Sequence, residues 1–399
     1  MRKASGLLFA LACAPCIAHS TTPPEVSNPP ADLRFQEAPG VDLRSTLILG
    51  ATRHYTPQAV NDDTPTVTGN LEFDNYGNRF VGVNRPGSSL NLNNLLGLKD
   101  QLSLRSPGSG EGGHYYRIAY HLTAGPWDTQ VGVMWADMAY ELKKELTVLK
   151  AEGDVSTLSA FVIQPLIKRD DFNLSLRLQY DDKRFDDRID LLYMRSEKDS
   201  KSVSLSLNAD SRDNILGGGR NQFSLGWTQG NLDIQGTPYT VTGYSDEGRF
   251  NVAHASLARV QQLTPRLSLH GQINGQWSND NLDESEKLQI GGALGVNAYP
   301  QSEGLADRGW LASLELRYAL SDSWQAATFV DHGESRRNTA SLDASEDLRT
   351  QRSGAGLGLR WSAYNWHINT VAAWKLGNAD ATSDNDKTPR IWTQIVRYF

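Results

Sequence analysis

The sequence has almost no cysteine: two in 399 residues, Cys13 and Cys16, both within the first 20. Removal of those 20 residues on export would leave no thiol chemistry and no disulfide. Past the N-terminus it also lacks any run of about 18 apolar residues, so it encodes no spanning helix, and mean hydropathy is −0.47. Positive charge is not in excess, since 39 Lys and Arg against 46 Asp and Glu give a net of −7. That is the wrong sign for a nucleic-acid-binding surface, and no nucleic-acid partner is expected. The eight histidines show no metal-ligand spacing such as His-x-x-x-His, so no metal or cofactor is called for. What the chain does have is 35 Gly, 14 Tyr and 10 Trp, a composition that suits tight turns and interfacial aromatic girdles. Length alone would suggest two or three soluble domains, but large all-β barrels break that rule.

Residues 1–20 read as a secretory signal peptide. Arg2 and Lys3 form the positive n-region, residues 6–17 the short apolar core, and Ala18-His19-Ser20 a small-residue cleavage site. Cleavage after Ala12 or Ala18 fits as well, and Leu11-Ala12-Cys13 is a weak lipoprotein-type alternative. Residues 21–34 carry Pro23, Pro24, Pro29 and Pro30 among polar residues and read as an extended linker. Residues 35–60 are mildly amphipathic, with room for one small element.

From Thr66 onward, segments of about ten residues alternate apolar with polar between Asp-, Asn-, Gly- and Ser-rich connections. Leu174, Leu176, Leu178 and Tyr180 form one apolar face; Val203, Leu205, Leu207 and Ala209 another. Trp310, Ala312, Leu314, Leu316 and Tyr318 form a third, and Trp366, Ile368, Thr370, Ala372 and Trp374 a fourth. A soluble sandwich or propeller would alternate too, but its strands are usually five or six residues long. Aromatics at the ends of the apolar faces match a membrane barrel instead. The fold class is therefore all-β, a transmembrane antiparallel β-barrel. At about 21 residues per strand and connection, residues 66–399 hold about sixteen strands. Their expected starts are 66, 78, 100, 113, 128, 154, 171, 201, 220, 250, 265, 309, 323, 351, 364 and 389. An even count puts both termini on the periplasmic side. It makes the long connection near 278–308 an outer loop and Leu320-Ser321-Asp322 a periplasmic turn. Phe399 suits the end of such a barrel, although Arg397 interrupts the last apolar face.

Strand parity also orients the lumen. Phe329, Asp331 and Gly333 share the inward face, because Trp324, Ala326, Thr328 and Val330 form the lipid face. On the next strand Gly354, Gly356 and Gly358 face inward, with Gly354 at the height of Asp331. They either leave a hollow in which a loop backbone can lie or relieve strain in a sharply coiled strand. Arg352, also inward, is the lumenal counter-charge expected for Asp331. The same parity sends Asp331 and His332 to opposite faces, which argues against an acid–histidine catalytic pair. The glycine clusters precede no helix, so a phosphate-cradling loop is not expected either. The chain reads as a non-enzyme. The Asp-Asp pairs at 62–63, 170–171, 181–182 and 186–187 read as solvated turn and loop ends, with Ca²⁺ binding as the alternative.

Several stretches resemble a known family. Residues 71–79 (LEFDNYGNR) and 91–104 (NLNNLLGLKDQLSL) resemble the first barrel strands of two-partner-secretion transporters, the haemolysin-activation/secretion proteins of Gram-negative outer membranes. Residues 291–318 (GGALGVNAYPQSEGLADRGWLASLELRY) resemble that family's long sixth loop and the strand after it. Phe329-Val330-Asp331-His332-Gly333 resembles its Phe-x-Asp-x-Gly motif on the thirteenth strand. The resemblance covers about 66–399. It implies a barrel that carries an unfolded exoprotein across the outer membrane without ATP, with periplasmic POTRA domains capturing the cargo. It also implies that the sixth loop folds inward, so that its Val-Arg-Gly/Ala-Tyr tip touches the Asp of the thirteenth strand. By match, the tip here is Gly295, Val296, Asn297, Ala298, Tyr299 and Pro300, and its wall contact is Phe329, Asp331 and Gly333. The implied partners are a secreted exoprotein and outer-membrane lipids; a separate POTRA-bearing chain is a further candidate that the short N-terminal region leaves open.

Two departures stand out. Asn297 occupies the arginine position, offering a neutral amide in place of a charged fork of donors, so a weaker lock onto Asp331 is expected. Only about 45 residues separate the signal from the barrel, and of these only residues 38–50 resemble the tail of a POTRA domain. A natural POTRA-poor relative, a degenerate gene product and an internal deletion all read this way. Weakened secretion is the expectation, with a passive diffusion channel or surface-binding barrel as the alternative function.

Overall fold

The computed structural model describes residues 57–58, 60, 63–109, 112–236, 239–240, 243–244, 247–338 and 348–399. The signal, the Pro-rich linker and the POTRA-like stretch lie outside the described residues.

The sheet is one closed antiparallel barrel of sixteen strands in sequence order, sealed by pairing of the last strand with the first. The first eight are β1 (Val67–Asp74), β2 (Arg85–Asn93), β3 (Gln101–Ser109), β4 (Gly113–Ala124), β5 (Thr129–Glu141), β6 (Ala151–Lys168), β7 (Phe172–Ile189) and β8 (Met194–Asp213). They are followed by β9 (Gly219–Gly236), β10 (Gly248–Thr264), β11 (Leu267–Trp277), β12 (Arg308–Ala319), β13 (Trp324–Arg336), β14 (Arg349–Ala363), β15 (Trp366–Lys375) and β16 (Arg390–Tyr398). A two-stranded hairpin, Tyr239–Thr240 with Gly243–Tyr244, sits in the fifth outer connection. No helix among the described residues is long and apolar enough to cross a membrane; the strands do so.

Across most strands, exposed apolar residues face outward and buried polar ones inward. On β8, Val203 and Leu205 are exposed while Ser200, Ser202 and Ser204 are buried. Trp310, Tyr318, Trp324, Trp366 and Trp374 are exposed on the outer face, where they form the rims of the lipid band. On the same face, the His332 ring lies 5.2 Å from the Trp310 ring.

The barrel is uneven in height. β6, β7, β8 and β9 have 18, 18, 20 and 18 residues, whereas β1 has 8 and β16 has 9. At about 3.3 Å per residue the long strands reach about 60 Å, well beyond a band about 25 Å tall crossed at a tilt of about 40°. Their upper outer faces turn charged: Arg195 of β8 donates to Asp186 of β7 at 2.7 Å. This explains why β8 begins at Met194 rather than at the expected 201, since above the lipid the apolar alternation stops while the strand continues. The pairs Asp181-Asp182 and Asp186-Asp187, read as turn ends, lie inside β7 for the same reason.

The second expected strand start also moves, from 78 to Arg85. Phe80 and Val81 are not strand residues. They are buried in the first outer loop against Leu142, Leu146 and Ala151, so their apolarity builds a loop core. Seven short turns occupy the periplasmic end, among them 265–266 and 364–365, and the loops at the other end include the 30-residue sixth, 278–307. Arg397 sits at the periplasmic rim, where it donates to the carbonyls of Tyr364 and Tyr398 and lies 5.6 Å over the Trp366 ring. Its charge faces the water beyond the band.

Candidate functional site

The sixth loop runs inward from β11 and is held to the wall along its whole length. At its start, Leu282 packs against Phe250 and Val252 of β10. Lys198 of β8 donates to Asp283 at 2.7 Å and lies 3.8 Å from Asp187. Burial works to raise the Asp283 carboxyl, but the Lys198 ammonium and the N–H of Ser285 outweigh it and hold the group well below the ordinary range. Lys183 of β7 pairs with Glu286. Further in, Leu288 and Ile290 pack on Leu311, an apolar residue on the otherwise polar inner face of β12.

The tip is a tight backbone fold. Leu288 bridges Ala306, Gly291 bridges Val296, and Val296 N–H donates to the Ile290 carbonyl at 2.7 Å. Gly295 is required by space, since a Cβ there would lie 2.4 Å from the Ile290 carbonyl oxygen. Val296, Ala298 and Tyr299 are fully buried in a cluster with Tyr76, Phe329, Val371, Ala373 and Trp392. Pro300 follows the tip and is buried with it.

The structure brings Asn297 onto Asp331. The Asn297 side-chain amide and backbone N–H both donate to Asp331 Oδ2, at 2.8 and 3.1 Å, and Ser313 of β12 donates to Oδ1 at 2.6 Å. Three neutral donors therefore meet a carboxylate that is 1 % exposed. The Trp392 indole N–H of β16, three strands along the wall from Asp331, donates to the Asn297 carbonyl at 2.8 Å. Gly333 lies under Ile290 and Val296, where a Cβ would stand 3.1 Å from Ile290. Gly354, paired with Asp331 in the sheet, has no room for a side chain: its Cβ would fall 2.7 Å from that of Ala298. Of the two readings of the glycines, the hollow holds for Gly354. Gly356 instead makes space for the Phe329 ring, 2.3 Å from where its Cβ would be.

Arg352 is not the counter-charge of Asp331. It stands opposite Gly333, and its guanidinium reaches up to Glu303 of the loop, donating from Nε at 2.9 Å and Nη2 at 2.6 Å. Asp331 is filled by neutral donors instead, so the arginine is free for the loop's own carboxylate. Arg352 also covers the Tyr299 ring at 5.0 Å. Burial raises the Tyr299 phenol, whose hydroxyl donates to the Ala379 carbonyl at 3.1 Å.

Sequence reasoning missed Glu303, Trp392, Val371 and Ala373. The last three interrupt an inward face that should be polar, and that interruption is the signal by which they could have been found. Glu303 carried no comparable sign.

A closed sixteen-stranded barrel with an aromatic-rimmed lipid face and a long loop docked in its lumen is an outer-membrane β-barrel with an occluded lumen. Residues 58–361 match the family model described as haemolysin secretion/activation protein ShlB/FhaC/HecB, and the chain belongs to that family. It is 26 % identical over 380 residues to the heme/hemopexin transporter protein HuxB of Haemophilus influenzae, covering 92 % of this chain. The chain spans 66 % of the length of that relative. In fold it is similar to CdiB from Escherichia coli, with TM-score 0.68 and 18 % identity over 92 % of this chain and 73 % of that one. It is likewise similar to CdiB from Acinetobacter baumannii, with TM-score 0.64 and 18 % identity over 84 % of this chain and 60 % of that one. BamA from Haemophilus ducreyi lacking POTRA domains 1–3 has TM-score 0.60 and 12 % identity, over 84 % and 71 % of the two chains.

Proposed function

We propose that the chain is the outer-membrane pore of a two-partner secretion system, reached after signal-directed export, and that it passes an unfolded exoprotein to the cell surface. The observation that carries this reading is the sixth loop. It fills the lumen yet is held by separate, breakable polar contacts to β7, β8, β13 and β14. A passive diffusion channel would need an open lumen, and the buried tip Val296–Asn297–Ala298–Tyr299 argues against it. The tip residues 295–300, together with Phe329, Asp331 and Gly333, act in this reading as the lock of the pore. The Haemophilus relatives are named as heme/hemopexin transporters, so a haem-acquisition exoprotein is the first cargo to test.

The test is surface display of a co-expressed exoprotein in a strain lacking other two-partner barrels, with and without a POTRA-bearing helper. Display that requires the barrel, with or without the helper, supports the reading. No display in any combination, with a constant small-ion leak in bilayers, would refute the secretion pore.

A further inference from the structure

Loop eight, residues 376–389, lies across the sixth loop with one face exposed and the other against the tip. Ala381 packs on the tip cluster and Ser383 is buried. Of its six hydrogen bonds to the sixth loop, four end on one side chain; the other two join Ser383 Oγ to the Gln301 carbonyl and the Tyr299 hydroxyl to the Ala379 carbonyl. Glu303 is 0 % exposed. Its Oε1 accepts from Arg352 Nε and Nη2 and from Thr382 Oγ1 at 2.9 Å. Its Oε2 accepts from the backbone N–H of Thr382 at 2.8 Å, and from the N–H and Oγ of Ser383 at 2.9 and 3.0 Å. Every contact is a donor, and together they saturate the acceptor capacity of a carboxylate. Two successive N–H groups aimed at one oxygen form an anion-binding nest, here occupied by a side chain of another loop. At its far end loop eight is tied to loop one, where Arg79 lies 3.4 Å from Asp384 and donates to Asn385 at 3.0 Å.

We propose that loop eight is a lid on the extracellular exit of the pore, and that Glu303 is the positioning residue that pins it shut. The proposal rests on the secretion reading for its purpose, since a lid matters only to something leaving the lumen. Besides the Glu303–Arg352 pair, the sixth loop keeps anchors at Asp283, Glu286 and Asn297, whereas four of the lid's six hydrogen bonds to that loop end on Glu303. Loss of that carboxylate therefore frees the lid and leaves the tip docked.

The experiment uses the full chain in planar bilayers and in proteoliposomes, with single cysteines introduced at Ala381 in the lid or Ala298 in the tip. Labelling by an external maleimide is compared with that of the parent protein. E303Q keeps the shape but turns two acceptor contacts into clashes of donors, and T382P removes one N–H and the hydroxyl from the lid side without touching the sixth loop. Both should speed labelling at Ala381→Cys, E303Q by at least tenfold and T382P by at least threefold. Labelling at Ala298→Cys should stay within twofold of the parent, and Asn378→Ala, exposed on the lid, should change neither. Open events in the bilayer should stay at the parent's level, because the docked sixth loop still fills the lumen. Unchanged lid labelling in E303Q and T382P would overturn the proposal. Equal acceleration at both cysteines would also overturn it, because Glu303 would then be a general structural support. Should E303Q not assemble, T382P alone decides. Failure of exoprotein display with the labelling as expected would count against the secretion reading and leave the lid in place.

Discussion

Gly354→Ala is the smallest change that should unseat the loop tip without touching the barrel. The new Cβ would lie 2.7 Å from the Ala298 Cβ and 3.5 Å from the Ala298 amide nitrogen, where about 4 Å is an ordinary contact. β14 cannot retreat, because Gly354 is fixed between Asp331 and Lys375 in the sheet. The tip must move, and it carries the Asn297 bonds to Asp331 and the Trp392 bond with it. Overpacking of this kind costs about 1–3 kcal/mol, equivalent to a change of about 5-fold to 150-fold in the closed-to-open ratio. Single-channel open probability should rise by that factor, while heat-modifiable migration stays that of a folded barrel. Ala298→Gly removes the opposing carbon and should restore closure in the double variant. Gly358→Ala, whose Cβ would meet Ala327 at a tolerable 3.4 Å, should be silent. Wild-type gating in Gly354→Ala, or no rescue by Ala298→Gly, would show that the tip does not rest on β14.

Three further outcomes follow from the same geometry. Asn297→Arg should lower open probability and raise the temperature of the heat-modifiable shift, and Asp331→Ala should cancel that gain. A double-mutant cycle isolates the contact, and purely additive effects would mean that position 297 does not act through Asp331. Trp392→Phe keeps an aromatic side chain, though a smaller one, and deletes the donor to the Asn297 carbonyl, at a cost of at least about 1 kcal/mol; it should raise opening at least about fivefold, whereas Trp392→Ala should do more. Acid should loosen the start of the loop. The folded Asp283 carboxyl titrates below its ordinary value, so its pairing with Lys198 contributes fully above about pH 4 and is lost as pH falls further. Asp283→Asn should flatten that part of the profile of opening against pH, and an unchanged profile would assign the acid step elsewhere.

The barrel was legible because period-two alternation against lipid is a repeated signal: sixteen strands report it, and one misread segment does not alter the count. Where lipid contact ends, so does legibility. The upper half of β8 carries Arg195, Glu197 and Lys201 outward, and its sequence looks like a loop. The 78 start failed for the converse reason, because Phe80 and Val81 serve a loop core that mimics a strand face. At the site, parity alone placed Asp331, Gly333, Gly354 and Arg352 inward. It could not say which inward groups meet, since partners across a lumen are set by how a thirty-residue loop lies there. That is why Arg352 was matched with the nearest acid by height and the structure matches it with Glu303.

The way the loop is held also accounts for a neutral residue at its tip. Asp283, Glu286 and Glu303 meet Lys198 of β8, Lys183 of β7 and Arg352 of β14, so the three loop acids are tied to bases on separate parts of the wall. Buried pairs of this kind add little net stability, but breaking one strands a charge and is costly. A slip of the loop by one residue would strand three at once. Charge thus fixes where the loop lies, and the tip needs only to fit. Val296, Ala298 and Tyr299 supply that fit in an apolar pocket floored by Gly333 and Gly354. Asn297 then has one remaining task, to satisfy the buried oxygens of Asp331. Its amide and backbone N–H, with the Ser313 hydroxyl, meet that need without introducing a permanent charge that the closed lumen would have to solvate.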